Sequence, residues 1–155
     1  MKILYLHGWK SACGGVKPTS LAELGHEVVE PELPEDDFEE ALRIAQAEWA
    51  RFKPEVVVGS SRGGALAMNL EAGEVPLVLL CPAWKRWGTA NRVKLGTQVL
   101  HSREDEVIPF EDTLELLDNS GLDASALTVT GENHRLFDPA SLAAMAAAVG
   151  KAVKS

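Results

Sequence analysis

The side chains best suited to covalent chemistry in this chain are two adjacent serines, four histidines and a run of acids around position 105. Gly59-Ser60-Ser61-Arg62-Gly63 fits the pattern G-x-S-x-G. A serine hydroxyl is a weak nucleophile until a base takes its proton, and the base needs a third group to orient it. In this pattern the nucleophile stands on a strained turn from strand to helix, its side chain pushed clear of the sheet. Small residues two before and two after let such a turn close, and Gly59 and Gly63 supply them. Ser60 lies one residue off that register, so Ser61 is the expected nucleophile.

The candidate bases are His7, His26, His101 and His134. His26 precedes a strand and has no partner in prospect. His7 and His101 fall at the C-terminal ends of strands, where they serve as supporting or packing groups. His134 lies in the loop Gly131-Glu132-Asn133-His134-Arg135-Leu136, after the last strand and before the last helix. Such loops open on the sheet edge where ligands bind in open α/β sheets, which makes His134 the expected base. The acid is expected in His101-Ser102-Arg103-Glu104-Asp105-Glu106-Val107-Ile108-Pro109. Asp105 is the leading candidate, with Glu104 and Glu106 as close rivals and Asp112 as a weaker one on the following helix.

The elements that must position these groups are legible in the apolar pattern. Apolar runs at Ile3 to Leu6, Glu55 to Val58, Val75 to Leu80, Gly96 to His101 and Ala126 to Thr130, with a weaker one at His26 to Glu30 that rests on Val28 and Val29 and stops at Pro31, read as six strands. Most look buried on both faces, as in parallel sheets. Phe38, Ala41, Leu42, Ala45, Trp49 and Phe52 recur at helical spacing, with Asp36 or Asp37 as cap and Lys53-Pro54 as the stop. Phe110, Thr113, Leu114 and Leu117 mark a second helix, with Gly121 beyond its end. Asp138 and Pro139 open a third, whose stripe is Leu142, Met145, Ala146, Val149 and Val153. A further helix follows Gly63-Gly64 through Ala65, Leu66, Met68 and Leu70. Alternation of this kind predicts a three-layer α/β/α domain over residues 1–155, with a doubly wound, mostly parallel six-stranded sheet. Tyr5, Trp49 and Phe52 read as core. Gly14-Gly15-Val16-Lys17-Pro18-Thr19 is rejected as a phosphate loop, because lysine does not follow the glycine directly.

Composition narrows the field. A formal charge of −8 opposes nonspecific contact with nucleic acid or anionic membrane. Two cysteines, Cys13 and Cys81, make neither a disulfide framework nor a metal spacing. The first apolar run is too short for a signal peptide, and no stretch reaches the roughly 18 apolar residues of a membrane span. A cytoplasmic protein with a small-molecule partner is expected.

Taken together, these segments resemble the α/β-hydrolase superfamily, and most of all its small, lid-poor single-domain serine esterases. The resemblance covers nearly the whole chain. It is carried by Leu4-Tyr5-Leu6-His7-Gly8-Trp9, Gly59-Ser60-Ser61-Arg62-Gly63-Gly64, the D-x-V-x-P-like stretch from Asp105 to Pro109, and Asn133-His134. The chain order serine, acid, histidine is the order of that superfamily. The resemblance implies a triad of Ser61, His134 and Asp105, and an oxyanion hole made by the backbone N–H groups of Trp9 and Arg62. It also implies hydrolysis of a small acyl ester or thioester through an acyl-enzyme, without metal or organic cofactor. A binding protein on the same scaffold, or an acyltransferase, are the other readings.

This sequence departs from the superfamily in three respects. It is short, without the two strands that open larger members; arginine follows the nucleophile; and His101-Ser102 stands where histidine-glycine usually precedes the acid. Arg62 is therefore a candidate for tuning the pocket or binding an anionic substrate. The segment from Pro82 to Lys94 lacks clean periodicity and is expected over the active edge. There Trp84 and Trp87 either wall a substrate pocket or pack on the sheet edge, with Lys85, Arg86 and Arg92 solvated beside them.

Overall fold

The computed structural model describes residues 1–9 and 13–154. Six parallel strands form one open sheet: β1 (Lys2–Leu6), β2 (Glu27–Val29), β3 (Val56–Ser60), β4 (Leu77–Leu80), β5 (Gln98–His101) and β6 (Leu127–Val129). Their order across the sheet is β2-β1-β3-β4-β5-β6. The described helices are α1 (Val16–Glu23), α2 (Phe38–Phe52), α3 (Arg62–Asn69), α4 (Phe110–Ser120) and α5 (Pro139–Lys154), with a short 3-10 turn at Ala124–Ala126.

Alternation along the strands makes the layers. Leu4, Leu6, Val57, Leu77, Leu79 and Val99 face one side, against Ala41 and Ala45 of α2, Leu66 and Ala67 of α3, and Leu116 and Leu117 of α4. Ile3, Tyr5, Val56, Val58, Val78, Leu80 and Leu100 face the other, against Leu21 of α1 and Met145, Ala148 and Val149 of α5. With both faces covered, the central strands can afford no polar alternation, which is why they read as apolar runs. No helix among the described residues is long and apolar enough to cross a membrane.

The local signals act where the sequence put them. The Asp37 carboxylate accepts the Glu40 N–H at 3.0 Å and caps α2, which decides between the two acids available. Gly121 ends α4 in the left-handed region at φ 68°. Asp138 receives the Ser141 N–H at 3.1 Å ahead of α5. Four strands are shorter than the runs that announced them, β5 starting at Gln98 and not at Gly96. Pro76 has no N–H, so the ladder of β4 starts at Leu77. Both edge strands pair on one side only and keep three residues each. The helix α1 was not foreseen, because Pro18 and two glycines gave the segment a loop's composition. Pro18 occupies the third helical position, where a missing N–H costs no hydrogen bond.

Candidate active site

The strand order reverses between β1 and β3, so their C-terminal ends splay apart and leave a crevice. A cavity of about 390 Å³ opens there, lined by His7, Gly8 and Trp9 after β1, by Ser60 at the end of β3 and Ser61 after it, and by the start of α1. His134, Arg135 and Phe137 close it from the loop before α5.

Ser61 is the pivot between β3 and α3, with φ 56° and ψ −116°. That backbone is sparsely populated for a residue with a side chain, at a cost of order 1–3 kcal/mol. It is held by hydrogen bonds on both sides. The Ser61 N–H donates to the Leu80 carbonyl at 2.9 Å, and the Ser61 carbonyl accepts from Gly64, Ala65 and Ala83. The flanking glycines are steric necessities. A Cβ on Gly59 would collide with the carbonyl of Gly63, and one on Gly63 with the carbonyl of Leu6, besides lying 2.7 Å from the His7 oxygen. These obstacles are backbone and cannot swing aside. Gly63→Ala is therefore expected to cost about 3 kcal/mol or more of folding stability, read from the urea midpoint.

The loop after β6 brings His134 back across the sheet. Its Nε2 lies 3.0 Å from Ser61 Oγ, and its Nδ1 lies 2.8 Å from Asp105 Oδ2. The other oxygen of Asp105 accepts two backbone N–H groups, from Val107 at 2.8 Å and Ile108 at 2.7 Å. The Asp105 side chain is fully buried, which by itself would raise its pKa. Hydrogen bonds from His101, His134 and the Ile108 and Val107 amides outweigh that burial and hold the carboxyl well below the usual carboxylate range. An ionised Asp105 only accepts, so Nδ1 of His134 carries the ring proton and Nε2 is left to accept from the serine.

Each rival acid has other work. Glu106 accepts the backbone N–H of His134 at 3.2 Å and so steadies the loop. The Asp112 carboxylate faces Lys85 at 3.5 Å. The Glu104 N–H donates to Ser102 Oγ at 3.0 Å, and its residue does not reach His134 through any described hydrogen bond.

His101 is a partner of the acid. Its Nε2 faces two acceptors, Asp105 Oδ2 at 3.1 Å and the Ile108 carbonyl at 3.0 Å, so Nε2 bears the proton. Its Nδ1 then accepts from Thr113 Oγ1 at 2.6 Å. Both residues are wholly buried. Thr113→Val keeps the shape but strands that nitrogen, and is expected to cost about 1–3 kcal/mol in urea denaturation. The other histidines stand apart: His7 Nδ1 contacts its neighbour's carbonyl, and His26 contacts the N-terminal amine.

The remaining sequence candidates divide. Trp84 is buried in the core, its indole N–H donating to the Asp112 carbonyl at 3.1 Å, and it does not line the cavity. Trp87 stands beside Trp9, with ring centroids 6.4 Å apart. The Arg62 side chain is 1% exposed and donates to the Pro34 carbonyl at 2.9 Å, between the rings of Phe38 and Trp87. It thus braces the loop before α2, and the expectation that it receives a substrate anion is corrected. Its backbone N–H, at the first position of α3, has no intrahelical acceptor. Trp9, half exposed, lies on the cavity wall. Tyr5 and Phe52 are core, as expected, while Trp49 is only partly buried.

Lys17, which lines the cavity, and Cys81, which does not, have no role assigned by the sequence. Lys17 reaches Ser60 Oγ at 2.9 Å and the Arg135 carbonyl at 2.8 Å. Cys81, with φ 37°, directs its thiol at the His134 carbonyl at 3.4 Å. Burial pushes that thiol up to about 12, so it stays protonated at neutral pH. Among the described residues, Cys81, Asp105 and His134 offer donor atoms within 4.8 Å of one another, the spacing a metal ion would need. The thiol is protonated, and the acid and imidazole are engaged with each other, so these donors fit a hydrogen-bonded relay better than a metal.

The fold finds counterparts among solved structures. A Xanthomonas campestris protein assigned to the α/β-hydrolase superfamily superposes with a TM-score of 0.77 at 20% identity, over 99% of this chain and 96% of that one. Mouse alpha/beta hydrolase domain-containing protein 10 gives 0.77 at 14% identity, over 99% and 89%. The esterase domain of a Rhodothermus marinus protein gives 0.66 at 17% identity, over 96% and 84%. No protein-family model and no curated protein matches the sequence. The chain has the α/β-hydrolase fold, in an all-parallel, six-stranded form.

Proposed function

We propose that this protein is a serine hydrolase that cleaves a small acyl ester or thioester through an acyl-enzyme. The observation that carries the reading is the unbroken relay Ser61 Oγ–His134 Nε2, His134 Nδ1–Asp105 Oδ2, at 3.0 and 2.8 Å. Ser61 Oγ attacks the acyl carbonyl while His134 takes its proton. Asp105 keeps the imidazole in the tautomer that can accept, and stabilises the imidazolium that forms. The resemblance assigns the N–H groups of Arg62 and Trp9 to the oxyanion; one such donor is typically worth about 3–4 kcal/mol in the transition state. The N-terminus of α3 adds its partial positive charge at the same place. His134 then returns the proton to the leaving alcohol or thiol, and activates a water that releases the acid. The names of fold neighbours that include hydrolase and esterase support the same reading.

The decisive experiment is covalent labelling with a fluorophosphonate, mapped by mass spectrometry. A single adduct on Ser61 is expected, absent in Ser61→Ala. An unlabelled wild-type protein would return the fold to the class of binding scaffolds.

A further inference from the structure

We propose that Lys17 receives a carboxylate of the substrate, so that the cavity selects short, singly negative esters. This rests on the hydrolase reading above and names the substrate class of the same site. Lys17 sits at the second position of α1, 8% exposed, with its ammonium on the cavity wall. A buried ammonium is costly unless its charge is met. Two of its three protons go to neutral acceptors, Ser60 Oγ and the Arg135 carbonyl, and the Phe137 ring centroid lies 5.4 Å from Nζ; none of these carries a formal negative charge.

No carboxylate among the described residues lies within ion-pair distance of it. The residues outside the described set are Lys10, Ser11, Ala12 and Ser155, and none has an acidic side chain. The ionisable neighbours do not supply the missing charge either. Burial keeps both the Cys81 thiol and the Tyr5 phenol protonated. The acid in the lining, Glu30, accepts the Gly14 N–H at 2.7 Å through Oε1; its buried Oε2 has no hydrogen-bond partner among the described residues, and no ion pair joins it to Lys17. Burial also lowers the Lys17 pKa, and a bound anion would raise it again.

A second feature points to the same ligand. The start of α1 opens on this cavity through Gly15, Val16, Lys17 and Pro18, and its N-cap Gly15 offers no side-chain acceptor. The helix N-terminus and the ammonium therefore present an anion with donors from one element. One lysine balances one negative charge. Lys17, Ser60 and Ser61 line one cavity of about 390 Å³, so a carboxylate at the ammonium and the carbonyl under attack belong to one short molecule. That geometry fits a half-ester of a short dicarboxylic acid, or an ester whose alcohol carries the carboxylate.

Paired substrates separate these sources and test the proposal. Monoethyl succinate is compared with diethyl succinate for an acyl-side carboxylate, and acetoxyacetate with its ethyl ester for an alcohol-side one. The wild type is expected to favour the anion in one pair by about 10–100-fold in kcat/KM, mostly through KM. Lys17→Met should bring that ratio near one, and Lys17→Arg should restore part of it. Equal rates on anion and neutral ester in both pairs, or a ratio unchanged in Lys17→Met, would overturn the proposal. Calorimetric titration of Ser61→Ala with the same four compounds reads binding without turnover. It keeps the question separate from the hydrolase reading: failed labelling of Ser61 would sink that reading, whereas absent anion preference in the titration would sink this one.

Discussion

Ser61→Ala is expected to lower kcat for ester hydrolysis by about 10⁵–10⁶-fold, with His134→Ala close behind. Neither group acts alone. The hydroxyl needs Nε2 of His134, 3.0 Å away, to take its proton, and the imidazole has no other reacting atom to serve. Once either is gone, the other has nothing to lose, so the double variant should fall little further than the singles. What remains would come from the oxyanion donors and from binding alone. Fold stability is a separate readout. An alanine at position 61 would inherit the same φ of 56°, and the only described side-chain bond it deletes is the one to His134. Its thermal midpoint should therefore stay near that of the wild type. A Ser61→Ala protein that kept its esterase rate would remove the serine from the mechanism.

Asp105→Asn is expected to lower kcat by about 10⁴-fold, for a reason of hydrogen-bond direction. Oδ1 of Asp105 accepts the amides of Val107 and Ile108, and an asparagine can meet both only with its carbonyl oxygen. Its NH₂ must then face Nδ1 of His134 and Nε2 of His101, where the carboxylate accepted two protons. His134 relaxes that clash by moving its proton to Nε2, so that it points a donor at Ser61 and no longer functions as a base. Crystal geometry would change little while the rate collapses.

The same carboxyl gives the protein an acid-side dependence with a definite sign. Its folded pKa lies below the unfolded value of about 3.9. The stability this contributes is thus fully present above the ordinary carboxylate range, and is lost as pH falls toward the folded value. Urea midpoints taken between pH 6 and pH 3 should drop more steeply for the wild type than for Asp105→Asn. Parallel curves would contradict the assignment of Asp105 as the ionised, hydrogen-bonded acid.

What the sequence determined by itself is local. Six strands showed as apolar runs because each central strand is covered on both faces. The helix limits showed at Asp37, Gly121 and Asp138-Pro139, because caps act within one turn. The elbow at Ser61 was legible because its glycines are required by contacts a few residues away, together with the carbonyls at the end of β1. Tertiary structure decided whatever depended on distant partners. Asp105 leads in the sequence, but Glu104 and Glu106 remain its close rivals there. Only the turn that aims the Val107 and Ile108 amides at one oxygen selects the middle one. Trp84 and Trp87 share one segment, yet the first is drawn into the core by a carbonyl 28 residues away and the second is left beside Trp9. Lys17 stands in a segment that the sequence rejects as a phosphate loop, with nothing else to mark it. Its meaning comes from Ser60 and from Arg135, 43 and 118 residues away, which the fold gathers around a single ammonium. A periodic pattern records burial and turn chemistry along the chain, but a charge acquires its role from groups that meet only when the sheet is assembled.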